Sequence, residues 1–246
     1  PVLTIPADYT AECSDEHPMD DASATDNCGE VSISVEEVTT PGACAGDYTI
    51  TRTFTATDDC GNASTATQTI TIVDTTAPEF TFVPDDFTAE CSDTIDMESP
   101  IASDNCGEVS LTINEWTVSG DAAGNYQIIR EFTAVDDCGN YVVESQTITV
   151  VDTTAPTFTS IPADYSIECS DEMQLDDANA NDNCSSTSVV TYESIIEGDC
   201  PNSYQLVRTF VATDDAGNST TATQTITVTD TTCLLYTSPS PRDSIR

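Results

Sequence analysis

The sequence predicts an all-β chain, a tandem array of three immunoglobulin-like β-sandwich repeats. Three observations predict it. Landmark residues recur every 78 positions without slippage: Cys13, Cys91 and Cys169; Cys28, Cys106 and Cys184; Arg52, Arg130 and Arg208. Self-similarity at a fixed period marks an array of copied units. Each unit shows the two-residue alternation of half-buried strands, punctuated by turn signals. No segment shows the periodicity of an amphipathic helix. The register places the repeats at residues 1–76, 77–154 and 155–232.

The elements of the first repeat follow in order. Val2–Ile5 and Tyr9–Glu12 read as short strands separated by Pro6, as an edge position allows. Ala22–Thr25 is a weaker strand signal. Val31–Glu36 (VSISVE) alternates. Tyr48–Thr57 (YTITRTFTAT) puts Tyr48, Ile50, Phe54 and Ala56 on one face and a row of threonines on the other. Asp58-Asp59-Cys60-Gly61-Asn62 is a turn signal. Ala63–Val73 then returns as the second arm of a long hairpin. Six or seven short strands in a unit of this size argue an immunoglobulin-like sandwich.

Arg52, Arg130 and Arg208 fall on the apolar face of the long strand. A buried guanidinium must be paired, because an uncompensated buried charge costs several kcal/mol. Glu12, Glu90 and Glu168, or Glu37, Glu115 and Glu193, recur at fixed offsets as candidate partners in a structural ion pair. Ligand binding is the alternative role for these arginines.

The segments TDNCGE, YTITRTFTATDDCGN and QTITIVDTTAP resemble the hyalin-repeat-like, immunoglobulin-like modules of large secreted bacterial surface proteins, notably in Bacteroidota. The resemblance covers residues 1–232. It implies an extracellular, adhesion-associated array and names no ligand. Residues 233–246 leave the pattern. CLLYTSPSPRD reads as a translated sequencing adapter, so this tail is expected to be an artefact, with the natural chain continuing past residue 232.

The chain has 11 cysteines, Cys233 of the tail among them. Regular spacing in small repeats implies disulfides and an oxidising compartment. No CxxC pair exists and His17 is the only histidine, which argues against zinc. Four cysteines leave three connectivities open. The ten-residue strand between Cys44 and Cys60 spans roughly 33 Å, whereas a disulfide needs Cα atoms within about 7 Å. These two therefore lie at opposite poles. Following the chain up and down the sandwich gives Cys28–Cys60 at one pole and Cys13–Cys44 at the other. The same rule gives Cys106–Cys138 and Cys169–Cys200. Ala122 and Ala216 replace one cysteine each in the later repeats. Cys91 and Cys184 are left over, as two free thiols or as a candidate cross-repeat bond.

The layout also gathers carboxylates at the junctions: Asp74 with Asp104, Asp136 and Asp137, then Asp152 with Asp182, Asp214 and Asp215. Such a cluster suits calcium, which takes six to eight oxygen ligands. The DTTAP junction resembles the calcium-binding linkers of cadherins but lacks their second acidic-asparagine pair. The alternative is that these residues simply build turns, since Asp and Asn side chains bond nearby backbone.

With 44 acidic residues against 5 basic ones, the net charge is −39. That balance excludes nucleic acid and anionic membranes as partners, since both need basic patches. No stretch is long and apolar enough to insert in a membrane. His17 has no counterpart in the other repeats and reads as a solvated loop residue, so a catalytic triad lacks its base. No phosphate loop is present. Trp116 is a packing residue or, alternatively, a sugar platform. The sequence therefore reads as a non-catalytic stalk in a large extracellular or cell-surface protein. It would be stapled by disulfides and candidate calcium, three beads of roughly 35 Å, and would meet a protein or glycan ligand. The rival reading is a spacer or carbohydrate-binding module attached to a secreted enzyme.

Overall fold

Six strands form in each repeat because the alternating segments can bury one face only by pairing. The computed structural model describes residues 1–199 and 202–231. The first repeat contains β1 (Val2–Thr4), β2 (Tyr9–Glu12), β3 (Ser23–Thr25), β4 (Val31–Pro41), β5 (Tyr48–Asp58) and β6 (Ala63–Val73). The second contains β7 (Glu79–Phe82), β8 (Phe87–Glu90), β9 (Ile101–Ser103), β10 (Val109–Ser119), β11 (Tyr126–Asp136) and β12 (Tyr141–Val151). The third contains β13 (Thr157–Ser160), β14 (Tyr165–Glu168), β15 (Asn179–Asn181), β16 (Thr187–Glu197), β17 (Tyr204–Asp214) and β18 (Ser219–Thr229).

Each repeat has one four-stranded and one two-stranded sheet. In the first, the order is β2-β6-β5-β4, with β1 and β3 paired separately. β4, β5 and β6 are antiparallel neighbours, with Glu37 opposite Arg52 and Arg52 opposite Gln68. β2 runs parallel to β6, Tyr9 facing Ile70. The later repeats copy this order as β8-β12-β11-β10 and β14-β18-β17-β16.

The core sits on one face of the two central strands. Ile50, Phe54 and Ala56 of β5 are buried with Ile70 and Ile72 of β6, while the intervening threonines face outward. Phe132 and Phe210 occupy the same buried position in the other repeats. A fully buried Phe contributes roughly 1.5–3 kcal/mol. β4 is longer than VSISVE alone suggests, and it is exposed along nearly its whole length. The same holds for β10 and most of β16, which leaves Val38, Trp116, Tyr192 and Ile195 in solvent. Trp116 is therefore not a packing residue; it is 46% exposed on an uncovered edge strand. Lone exposed apolar residues are ordinary, but a repeated row of them on one edge is not.

Inside the core the arginines are held by side-chain and backbone acceptors. Arg52 is 4% exposed. Its Nε donates to Glu37 Oε1 at 2.9 Å, and its Nη1 donates to the Asp20 carbonyl at 2.8 Å and to Gln68 Oε1 at 3.2 Å. Gln68 in turn donates to the Ala7 carbonyl at 2.8 Å. The guanidinium also lies 4.9 Å from the Phe54 ring centre. Arg130 and Arg208 repeat this network with Glu115 and Glu193. Of the two glutamate sets, the cross-strand one is thus the partner. The other set closes the junctions, as described below.

Contacts divide the chain into two compact units. One comprises Pro1–Phe87, Asp96–Thr117 and Ile128–Ile148; the other comprises Thr88–Ile95, Val118–Gln127 and the described residues from Thr149 onward. The division runs through the second repeat, so each unit contains one complete inter-repeat junction.

Candidate inter-repeat junctions

The first junction begins where β6 ends. Asp74 follows Val73, and the backbone there is tied to the β2 end: Cys13 N–H donates to the Val73 carbonyl at 2.9 Å. Glu12 accepts from the Thr75 N–H at 3.1 Å and also from the Thr75 hydroxyl. Those bonds, led by the hydroxyl, hold the Glu12 carboxyl below its ordinary pKa. Glu90 accepts the same two bonds from Thr153, which lower its carboxyl likewise, and Glu168 accepts the N–H and hydroxyl of Thr231. These glutamates, offered by the sequence as arginine partners, instead fix the direction of the chain as it leaves each repeat.

Against this exit lie two turns of the second repeat. In the first, Asp104 Oδ1 accepts from Cys106 N–H at 2.9 Å. In the second, Asp136 accepts from Cys138 N–H at 2.8 Å and from Asn140 through both its N–H and its Nδ2, each at 2.9 Å. Asn140 Nδ2 also donates to the Asp74 carbonyl at 3.1 Å, which stitches the two repeats together. Burial pushes the Asp136 carboxyl up, but the bonds from Asn140, Cys138 and Gly139 outweigh it and leave the pKa lowered. Asp74 is buried and raised, first by burial and then by the charges of Asp104, Asp136 and Glu12.

Two disulfides cross this junction. Cys13 bonds Cys106 with Cα atoms 5.9 Å apart, and Cys44 bonds Cys138 with Cα atoms 5.0 Å apart. The expected pairs Cys13–Cys44 and Cys106–Cys138 are therefore not formed. Sheet order supplies the reason. Cys13 ends the β2 edge, whereas Cys44 lies in the turn between β5 and β4, at least two strands away. At about 4.8 Å per strand, that gap exceeds the reach of a disulfide. The partner across the junction is closer than the partner at the same pole. Cys28 and Cys60 are likewise not joined; both thiols are free and exposed. Cys169 is also a free, exposed thiol, and its expected partner Cys200 lies outside the described residues.

The second junction has the same plan with one bond fewer. Cys91 bonds Cys184, Cα atoms 5.9 Å apart. Ala122 and Ala216 stand where the other bond would form. Asp152, Asp182 and Asp214 bring carboxylate oxygens within 4.8 Å of one another. Asp182 Oδ2 accepts from the N–H groups of Cys184 and Ser185, at 2.8 and 3.1 Å. Ser185 Oγ donates to Asp152 Oδ2 at 3.0 Å. Asn218 Nδ2 bridges Asp214 and the Asp152 carbonyl, at 3.0 Å each. Gly124 packs over this group at φ +84°, where an added Cβ would come within 3.1 Å of Asp152 Cβ.

Asp152 is 5% exposed and Asp214 6%. Asp152 Oδ1 and Asp182 Oδ1 are buried with no hydrogen-bond partner. Two carboxylates at this separation repel by about 3 kcal/mol at an effective dielectric near 20. The arrangement is thus an anionic oxygen pocket with two orphan acceptors. Its donor set fits a hard cation. The nearby cysteine sulfurs are committed to disulfides and are not ligands. Asp137 and Asp215 are exposed and lie outside these groups. His17 is half-buried with Nδ1 enclosed and unpartnered, so it is not the solvated loop residue that the sequence suggests.

Residues 1–72 match the model of a family described as an HYR-like domain with 4 cysteines. No curated protein matches the chain. Among solved structures, the chain is similar to the protocadherin gammaB7 EC3-6 cis-dimer at 14% identity and TM-score 0.33, covering 94% of this chain and 74% of that one. It is similar to Drosophila N-cadherin EC1-4 at 13% identity and TM-score 0.34, with coverages of 93% and 74%. It is also similar to mouse protocadherin-24 EC1-3 at 13% identity and TM-score 0.36, with coverages of 93% and 98%. Likenesses of this size carry no argument about ligands. Tandem β-sandwich repeats, an HYR-like first repeat and three disulfides together fit a structural or adhesive extracellular segment.

Proposed function

We propose that this chain is a non-catalytic, load-carrying segment of a cell-surface or secreted protein. Its three modules, at 1–76, 77–154 and 155–232, would be held in fixed orientation by their junctions. The observation that carries this reading is that every disulfide of the described residues joins one repeat to the next. A protein that needed only folded beads would place its bonds within each bead. Bonds at the junctions instead resist bending and separation. The exposed edge strands β4, β10 and β16, with Trp116 and Tyr192 in solvent, would offer the surface for a protein or glycan partner. The charge of −39 would keep neighbouring chains apart.

Calcium would complete the second junction. Asp152, Asp182 and Asp214 would hold it, and bound cation would neutralise their mutual repulsion and give the two orphan oxygens a partner. Where the first junction has its second disulfide, the second junction would have the cation. At a ligand concentration one hundred times Kd, binding to the folded state alone adds about 2.7 kcal/mol. For a unit of this size that corresponds to roughly 5–10 °C in melting midpoint. Calcium added to EDTA-treated protein is therefore expected to raise the midpoint by about that amount, and the Asp152→Asn, Asp214→Asn double variant is expected not to respond. Identical melts in EDTA and calcium would remove the cation from the account and leave the disulfide reading standing.

A further inference from the structure

The second repeat departs from the other two around one cleft of about 320 Å³. The ends of β7 and β8, the segment between them, the following loop and Gln146 of β12 line it. Four of the lining positions hold residues that neither other repeat has there. Phe82 stands where the first and third repeats have Thr4 and Ser160. Phe87 stands for Tyr9 and Tyr165, Asp85 for Ala7 and Ala163, and Asp96 for Pro18 and Gln174. The change from tyrosine removes a latch. The Tyr9 hydroxyl donates to the Pro18 carbonyl at 3.1 Å, and the Tyr165 hydroxyl donates to the Gln174 carbonyl at 2.7 Å. Phe87 has no hydroxyl with which to reach Asp96. Its ring is 37% exposed and that of Phe82 39%, both on the cleft.

We infer that this cleft binds a small quaternary ammonium cation. Each change peculiar to the second repeat adds either bare phenyl surface or a carboxylate. Together these are what such a ligand requires: ring faces attract the cation, and its methyl groups need apolar contact. Pro84 and Glu98 supply one more of each kind. Among the described residues that line the cleft, no side chain offers a free donor. Gln146 Nε2 is committed to the Asp85 carbonyl at 2.7 Å, and Gln146 Oε1 accepts from Arg130 Nη1 at 2.8 Å. A sugar or an anion would find no side-chain donor for its oxygens, whereas a quaternary ammonium head needs none. A primary ammonium is held more strongly by water and gains less from phenyl rings. The Arg130 charge beside Gln146 is offset by Glu115 at 2.8 Å. The cleft lies at the small end of ligand sites, roughly 300–1,000 Å³, which suits a compact head group. It shares no residue with either junction, so it stands or falls apart from the junction account.

The test is calorimetric titration of the oxidised chain with choline, in about 0.15 M sodium chloride to screen the diffuse attraction of the acidic surface. The inference expects saturable binding, with the neutral isostere 3,3-dimethylbutan-1-ol roughly tenfold weaker. Phosphocholine is expected to bind roughly fivefold more weakly than choline, because its phosphate would meet Asp85, Asp96 and Glu98. Phe82→Thr and Asp85→Ala install the residues of the first repeat. Each is expected to weaken choline roughly fivefold, with an unchanged melting midpoint as proof of folding. Absence of saturable choline binding would overturn the inference. So would choline held no tighter than its isostere, phosphocholine held as tightly as choline, or affinity unchanged in both variants. N-acetylglucosamine bound by the natural chain and lost in Phe82→Thr would make the cleft a sugar platform instead.

Discussion

Arg52→Ala is expected to destabilise the first repeat by about 3–5 kcal/mol, the cost of breaking a buried charge network by removing one partner. The size follows from what the side chain leaves behind. Gln68 Oε1 and the Asp20 carbonyl would both lose their donor in the interior, and each stranded group costs roughly 1–3 kcal/mol. Contact with the Phe54 face would be lost as well. Glu37→Gln is expected to cost less than Arg52→Ala, because the amide oxygen can still accept from Arg52 Nε and the guanidinium keeps its bonds to Gln68 and the Asp20 carbonyl. Arg130→Ala and Arg208→Ala should behave alike, since the same network recurs. Equilibrium denaturation of the oxidised protein checks this. An Arg52→Ala variant no less stable than Glu37→Gln would mean that the arginine is merely tolerated in the core.

Reduction of the junction disulfides is expected to have the second large effect. Cys13–Cys106 closes a loop of 93 residues and Cys44–Cys138 one of 94. The chain-entropy account assigns about 4.5 kcal/mol to a loop of that length. Strain and residual structure commonly reduce the measured value. A midpoint lowered by about 10–20 °C on reduction is expected for a unit of this size. The two junctions should also differ. The first has two bonds and brings two carboxylates together, Asp74 and Asp136, whereas the second has one bond and brings three together, Asp152, Asp182 and Asp214. Reductant should therefore act more strongly on the first unit, and chelator on the second. A reductant-insensitive melt would show that the junction bonds add nothing to stability.

The fold was legible because its cause is local. Ten residues of strict alternation in YTITRTFTAT can be satisfied only by a strand with one buried face, and three copies in one register leave little room for another architecture. The poles of the sandwich were legible too, since strand length keeps Cys44 away from Cys60. Partner choice was not, because it depends on lateral order within the sheet and on the approach of the next repeat. Neither is a property of a single unit. Alternation also could not tell that the VSISVE strand ends at a sheet edge with nothing over it.

One signal for the pairing did lie in the sequence. Ala122 and Ala216 are separated by the same interval as Cys44 and Cys138. Pairing within repeats makes their replacement two unrelated losses and strands Cys91 and Cys184. Pairing between repeats makes it the loss of one bond, both halves together, and strands no cysteine in the middle of the array. The carboxylates were found at the right turns, but Asp137 and Asp215 were not separable from their neighbours. In each Asp-Asp pair the first residue caps the turn inward and the second faces solvent. That distinction comes from the Asn140 and Asn218 bonds rather than from residue type.

Disulfide mapping of the oxidised chain is the most direct test of covalent coupling between repeats. Peptic digestion at acid pH suppresses exchange while fragments are separated. The account predicts linked peptides containing Cys13 with Cys106, Cys44 with Cys138 and Cys91 with Cys184. Peptides joining Cys13 to Cys44, or Cys106 to Cys138, would mean that each repeat is stapled to itself, and the junctions would then lose their covalent role.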